Sequence, residues 1–141
     1  MTFSSKCREL TKESEKCVLH AYQDAVGVWT IAWGYTKGVF PGQTCTQSQA
    51  DEWLEEELTK CALAVMSMVH VPITQGQLDA MTDFAYNLGQ GAFLHSTLLS
   101  KFNSGDVQGA AEEFGKWVHA GGKVLEGLVI RRRKEKELFL S

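Results

Sequence analysis

Two carboxyls and a hydroxyl stand in one short stretch, EKCVLHAYQDAVGVWT at residues 15–30, in which nearly every other side chain is apolar, aromatic or absent. They are Glu15, Asp24 and Thr30. Two carboxyls in unlike settings are what general acid–base chemistry requires. Desolvation at an apolar edge keeps one protonated, and a wetter turn leaves the other ionised. Each residue also has an ordinary reading. Asp24-Ala-Val-Gly27 is good turn chemistry, Thr30 is a common strand residue, and Glu15 suits a solvated helix end.

The elements that must position this trio follow from local pattern. Phe3, Cys7 and Leu10 recur on one helical face, so a short helix over 3–14 delivers Glu15 near its C-terminal end. From 18 to 40, β-branched and aromatic residues alternate with glycines at 27, 34 and 38, and Pro41 follows. This reads as a small sheet of hairpins, the only convincing strand region. Thr46-Gln47-Ser48-Gln49 has the form of a capping box, and Ala50, Trp53, Leu54, Leu58, Cys61, Ala62, Val65 and Val69 continue from it at i+3 and i+4. A helix over 47–69 would be about 34 Å long and would join a β-containing lobe to the remainder. Thr74-Gln75-Gly76-Gln77 is a second capping box, whose helix ends at Gly89 and Gly91. Further helices are expected at 96–103, 107–119 and 124–138, with Gly121-Gly122 as punctuation.

The expected architecture is α+β and mainly helical within one domain, 1–141. A catalytic lobe of about 13–45 carries the sheet, about 46–69 is the connecting helix, and about 70–141 is a helical lobe. A chain of this length buries roughly 68 to 70% of its unfolded surface without staples. The composition, 44% hydrophobic with two prolines, is that of a globular protein.

Four cysteines without a C-x-x-C pair and four histidines without ligand spacing lead us to expect no metal site, no cofactor and free thiols. No apolar run approaches ~18 residues, and the polar start lacks a signal-peptide core, so a soluble chain without export signal or stable membrane insertion is expected. Net charge is −3, yet residues 122–141 carry +3. The run RRRKEK at 131–136 interleaves acids at helical spacing without aromatic stacking partners. It reads as a solvated helix face and not a nucleic-acid site, since the rest of the chain is negative.

The order of the residues adds a resemblance. The run Glu15, Leu19, Ala21, Tyr22, Asp24, Gly27, Trp29, Thr30, Ile31 resembles, in register, the motif of the phage-type lysozymes, glycoside hydrolase family 24, which include the lysozyme of T-even bacteriophages. Later segments agree in order: FAYNLGQGAF at 84–93, STLL at 96–99, FNSGD at 102–106, Trp117, and AGGKVLEGLV at 120–129 followed by three arginines.

The resemblance implies a lysozyme-like fold and an endolysin muramidase. Such an enzyme hydrolyses the β-1,4 bond between N-acetylmuramic acid and N-acetylglucosamine of bacterial peptidoglycan, with inversion, for host lysis. Glu15 would then be the general acid, and Asp24 and Thr30 would act on the attacking water. Carboxyls about 6.5 to 9.5 Å apart leave room for that water, whereas about 5 to 5.5 Å favours a covalent, retaining route. Thr36, Tyr86, Asn87 and Ser96 become candidates for binding the glycan, although Asn and Ser also favour helix ends for local reasons. The family also implies a monomer that accumulates in the host cytoplasm and reaches the wall through a separate membrane-permeabilising protein, a holin. A non-catalytic peptidoglycan binder on the same fold is the alternative; it has no need of a protonatable glutamate at 15.

The chain departs from the family pattern in two places. Lys16 stands where relatives carry glycine after the acid, and a cation there favours the ionised form of its neighbour. The common T-I-G-Y-G-H-T reads TIAWGYT at 30–36, with Ala32, Trp33 and Tyr35. A tyrosine at 35 does not change charge between about pH 5 and 8, as a histidine would. Cys17, two residues from Glu15, raises redox control as an expectation against plain packing.

Overall fold

The computed structural model describes residues 1–141, and its architecture grows from a few well-capped helices. Ser4 accepts the Lys6 N–H to start α1 (Ser5–Ser14), and Cys7 packs with Leu54 and Leu58. The chain then turns into an antiparallel hairpin of β1 (Cys17–Gln23) and β2 (Trp29–Trp33), with Tyr22 opposite Thr30 and Gln23 opposite Trp29. Residues 43–45 extend this small sheet through two backbone bonds to β1, Ala21 N–H to Gln43 at 2.8 Å and Cys45 N–H to Leu19 at 3.0 Å.

The capping box forms at α2 (Gln47–Met68): Thr46 accepts from Gln49, and the Gln49 side chain accepts from Thr46. Helix α2 joins three apolar clusters along its length, the middle one being that of Leu54 and Leu58 with Cys7. Ala50 near its start packs with Ile31 and Ala32 of β2, while Cys61, Ala62 and Val65 near its end join the main core. The second capping box forms as well, at Thr74 and Gln77, and starts α3 (Gln75–Leu88), the helix at the centre of that core. Phe84 of α3 meets Phe93, Phe114 and Trp117 edge-on, with ring centroids 5.3 to 6.1 Å apart. Such edge-to-face aromatic contacts add about 0.5–1.5 kcal/mol each beyond area burial.

The remaining helices are α4 (Gln90–Leu94), α5 (Thr97–Asn103), α6 (Val107–Glu113) and α7 (Glu126–Leu140). Three sequence expectations are corrected here. Gly89 ends α3 with φ 99°, but the chain re-enters a helix at once as α4, because one glycine at positive φ redirects the backbone without barring the next turn. The helix expected over 107–119 stops at Glu113 and tightens into a 3-10 turn at Phe114–Lys116. Gly121-Gly122, with φ 59° and 78°, closes a hairpin of β3 (His119–Ala120) and β4 (Lys123–Val124). Paired positive φ values are what tight hairpins demand, and two-residue strands are too short to show alternation in sequence.

The reading of RRRKEK as a solvated face is also corrected. Arg131, Arg132 and Glu135 are buried on α7, and only Arg133, Lys134 and Lys136 meet solvent. Buried charges of this kind survive only with partners. Arg132 and Glu135 pair within α7, while Arg131 finds its partners far away in sequence, at Asp83 and Glu15.

Candidate active site

Glu15 caps the C-terminus of α1 through its own N–H, which donates to Thr11 at 2.9 Å, and its backbone is already extended. The helix has therefore ended before Lys16, which is exposed. The Glu15 carboxyl does not rest in a purely apolar pocket as expected. Its Oε2 accepts from Arg131 Nη1 at 2.8 Å, and its side chain is 21% exposed.

Arg131 is shared. Its Nε and Nη2 donate to Asp83 Oδ2 and Oδ1 at 2.9 and 2.8 Å, a bidentate pair from α7 to α3. Asp83 also accepts the Thr11 hydroxyl at 2.7 Å. Burial alone would raise the Asp83 pKa, but the adjoining guanidinium, with the hydrogen bonds it receives, holds that carboxyl well below the usual range. Glu135 takes the opposite course. Burial and then the neighbouring Asp83 carboxylate push it well above its ordinary 4.5, against the attraction of Arg132, whose Nε is 3.1 Å away. Folding thus favours the ionised form of Asp83 and the uncharged form of Glu135.

The other wall of the Glu15 site is Gly34, in the turn that closes where Ile31 and Tyr35 exchange backbone bonds at 2.9 and 2.8 Å. Its φ is +78°, and a Cβ there would lie 2.6 Å from Glu15 Oε1. Both the backbone and the carboxyl therefore require glycine at 34.

Asp24 is held quite differently. Its Oδ1 accepts the Val26 and Val28 N–H groups at 3.0 and 2.9 Å, and its own N–H donates to the Val28 carbonyl at 2.9 Å. The β1–β2 turn is thus fastened by the aspartate side chain, and Oδ2 has no protein partner. Thr30, buried on β2, donates its hydroxyl to the Val28 carbonyl at 2.9 Å, which leaves the hydroxyl oxygen free to accept. Tyr22 lies across the hairpin from Thr30. Its phenol is pushed up by burial and then by Glu15 and Asp24, so one ring senses both carboxylates.

A cleft of about 510 Å³ runs on from Gly34. Gly34 to Lys37 line it from the sheet, Glu57 and Cys61 from α2, and Ala85 to Gln90 from α3 and the start of α4. Thr36, Tyr86 and Asn87 all lie on this cleft. Tyr86 donates to the Trp33 carbonyl at 2.6 Å, and Asn87 Oδ1 accepts from Arg132 Nη2, so both are tied down from behind. Ser96 is elsewhere. It is buried, accepts the Leu99 N–H at 3.1 Å, and donates to the Phe93 carbonyl at 2.7 Å as the N-cap of α5. The capping alternative describes that residue.

The departures at 32–35 also acquire partners. Trp33 Nε1 donates to Asp51 at 2.8 Å, and Tyr35 stacks on Trp53 with centroids 5.3 Å apart, tying the hairpin to α2. Ala32 sits buried at φ 58°, a conformation that suits glycine, at a cost of about 1 kcal/mol or more. All four cysteines are free; Cys17 lies within hydrogen-bond reach of the Gln47 amide, and Cys7 and Cys61 are buried.

Sequence reasoning missed Gly34, Arg131, Asp83 and Glu135 as parts of the site. Only Gly34 carried a local signal, as a glycine close behind Thr30 in the chain.

The Glu15 carboxyl lies against Gly34, a residue of the cleft wall, and Asp24 and Thr30 stand on the β1–β2 hairpin; two carboxyls and a hydroxyl are residue types that glycoside hydrolysis uses. Residues 12–135 match the family described as Phage lysozyme. The endolysin of Acyrthosiphon pisum secondary endosymbiont phage 1 is 41% identical, over 100% of this chain and 99% of its own length. Two solved structures superpose closely. The muramidase domain of SpmX from Asticaccaulis excentricus has a TM-score of 0.89 at 36% identity, covering 99% of this chain and 98% of its own. The endolysin from Escherichia coli O157:H7 phage FAHEc1 has a TM-score of 0.88 at 34% identity, covering 100% and 94%. The chain belongs to the phage lysozyme family, with its α+β lysozyme-like fold.

Proposed function

We propose that this chain is an endolysin muramidase that hydrolyses the β-1,4 bond between N-acetylmuramic acid and N-acetylglucosamine in bacterial peptidoglycan, with inversion at the anomeric carbon. The observation that carries the reading is the Glu15 carboxyl, fixed between Arg131 and Gly34, which itself lines the cleft. The full-length likeness to an endolysin and to a muramidase domain supports the same reading.

In this mechanism Glu15 gives its proton to the leaving glycosidic oxygen. The carboxylate that forms meets the Arg131 guanidinium already in place, so no reorganisation is needed as the charge develops. Asp24 Oδ2 accepts a proton from the attacking water. Thr30 accepts the water's other hydrogen, since its own proton is committed to Val28. Thr36, Tyr86 and Asn87 contact the glycan along the cleft.

The enzyme acts as a monomer on the wall of a bacterial host. It accumulates in the host cytoplasm and is released by a separate holin. Turbidity of outer-membrane-permeabilised bacteria tests the assignment. Wild type clears the suspension and Glu15→Gln does not, whereas equal clearing by both would overturn it. A Glu15→Gln variant that binds walls normally while wild type releases no glycan would mark a binding protein instead.

A further inference from the structure

Glu15 meets one N–H of a guanidinium whose other edge is fully occupied. Arg131 is 4% exposed and gives two of its donors to Asp83, which is wholly buried, and only Nη1 to Glu15. Three carboxyls, Glu15, Asp83 and Glu135, surround two buried guanidiniums, Arg131 and Arg132. A general acid beside an unanswered guanidinium would be locked in its ionised form, because an adjacent cation favours the carboxylate. Something must therefore absorb the Arg131 charge.

We propose that Asp83 is a positioning residue for the catalytic acid: by pairing bidentately with Arg131 it neutralises that guanidinium and limits it to a single hydrogen bond with Glu15, leaving Glu15 able to carry the proton it donates. The proposal rests on the assignment of Glu15 as the acid. The Thr11 hydroxyl from α1 fixes Asp83 from a second side, so the carboxylate cannot swing away from the arginine. Burial and the Asp83 carboxylate push the Glu135 pKa up, which favours its uncharged form beside Asp83. The other groups facing the layer are Tyr22 from β1, Tyr86 from α3 and Cys7 from α1. Burial pushes all three up, so they remain neutral where the enzyme works. Asp79, one turn earlier on α3, is answered by Ser4 and Gln75 and turns its charge to them.

The test is the pH dependence of kcat/KM on purified peptidoglycan, whose basic limb reports the acid of the free enzyme. In Asp83→Asn the Arg131 charge falls on Glu15 alone. The basic limb should move to lower pH by about 1 to 3 units, with roughly tenfold less activity per unit above it and near-normal activity below it. A limb that stays in place while activity drops uniformly would overturn the proposal and leave Asp83 a structural residue. A second measurement needs no variant: carboxyl 13C NMR of the wild type should show Asp83 ionised across the whole activity range. An Asp83 that titrates together with the basic limb would overturn the proposal equally. Glu15→Gln separates the two readings. If that variant is active, the catalytic assignment fails; if it is inactive while the Asp83→Asn limb is unmoved, only the role of Asp83 fails.

Discussion

The two carboxyls of the proposed site are anchored by opposite means. Asp24 is held within a hairpin by two N–H groups no more than four residues away, so its geometry is a property of one turn. Glu15 is held by an arginine 116 positions further on, which is itself held by an aspartate from a third helix. The hairpin end can therefore form locally. The acid end exists only when α1, α3 and α7 have packed.

The comparison is broken most severely by Arg131→Ala. It strands Asp83 as an unpaired buried charge, and loss of one partner of a buried pair costs about 3–5 kcal/mol. Urea unfolding should show that loss. Asp24→Ala should lower stability by only about 1 kcal/mol, through two lost N–H acceptor contacts, yet abolish lysis. Equal destabilisation by the two substitutions would contradict the contrast.

Gly34→Ala comes next. It places a methyl against the Glu15 carboxyl at positive φ, so lytic activity should fall about 10²-fold, with about 1–2 kcal/mol of stability lost to backbone strain. Wild-type activity in this variant would show that the acid does not need its present position.

Glu135→Gln sharpens the acid side through pH. A buried carboxyl whose pKa is raised by folding contributes stability that is fully present below its unfolded value near 4.5 and is lost as pH rises through the folded value. The glutamine variant has no such loss. Its thermal midpoint should match wild type near pH 4 and exceed it increasingly above about pH 4.5; a constant difference at all pH values would contradict this. Lys16→Gly is the smallest expected effect. The cation is exposed and screened, so the activity optimum should rise only by a few tenths of a unit, about the scale of a surface charge contact. An unchanged pH–rate profile would remove Lys16 from the account.

The same division explains what the sequence made legible. Both capping boxes, the bounds of α2 to within a residue and the Asp24 turn are local chemistry and could be read directly. The register of Glu15, Asp24 and Thr30 came from resemblance, because spacing alone does not bring a helix end to a hairpin. The polar layer of Arg131, Asp83 and Glu135 was read as solvated because charged residues usually are. The partners of Arg131 lie 48 and 116 positions away, and no local pattern announces them. Ser96 shows the converse case: a serine at a helix start within a family motif suits either a glycan contact or a cap, and the helix uses both its donor and its acceptor.

The central claim is that an acid held by long-range pairing and a water held by Asp24 and Thr30 act from opposite faces of one bond. The most direct measurement is the anomeric configuration of the N-acetylmuramic acid end freshly released from peptidoglycan, read by 1H NMR before mutarotation. The account predicts the α anomer first. Initial release of the β anomer would contradict it.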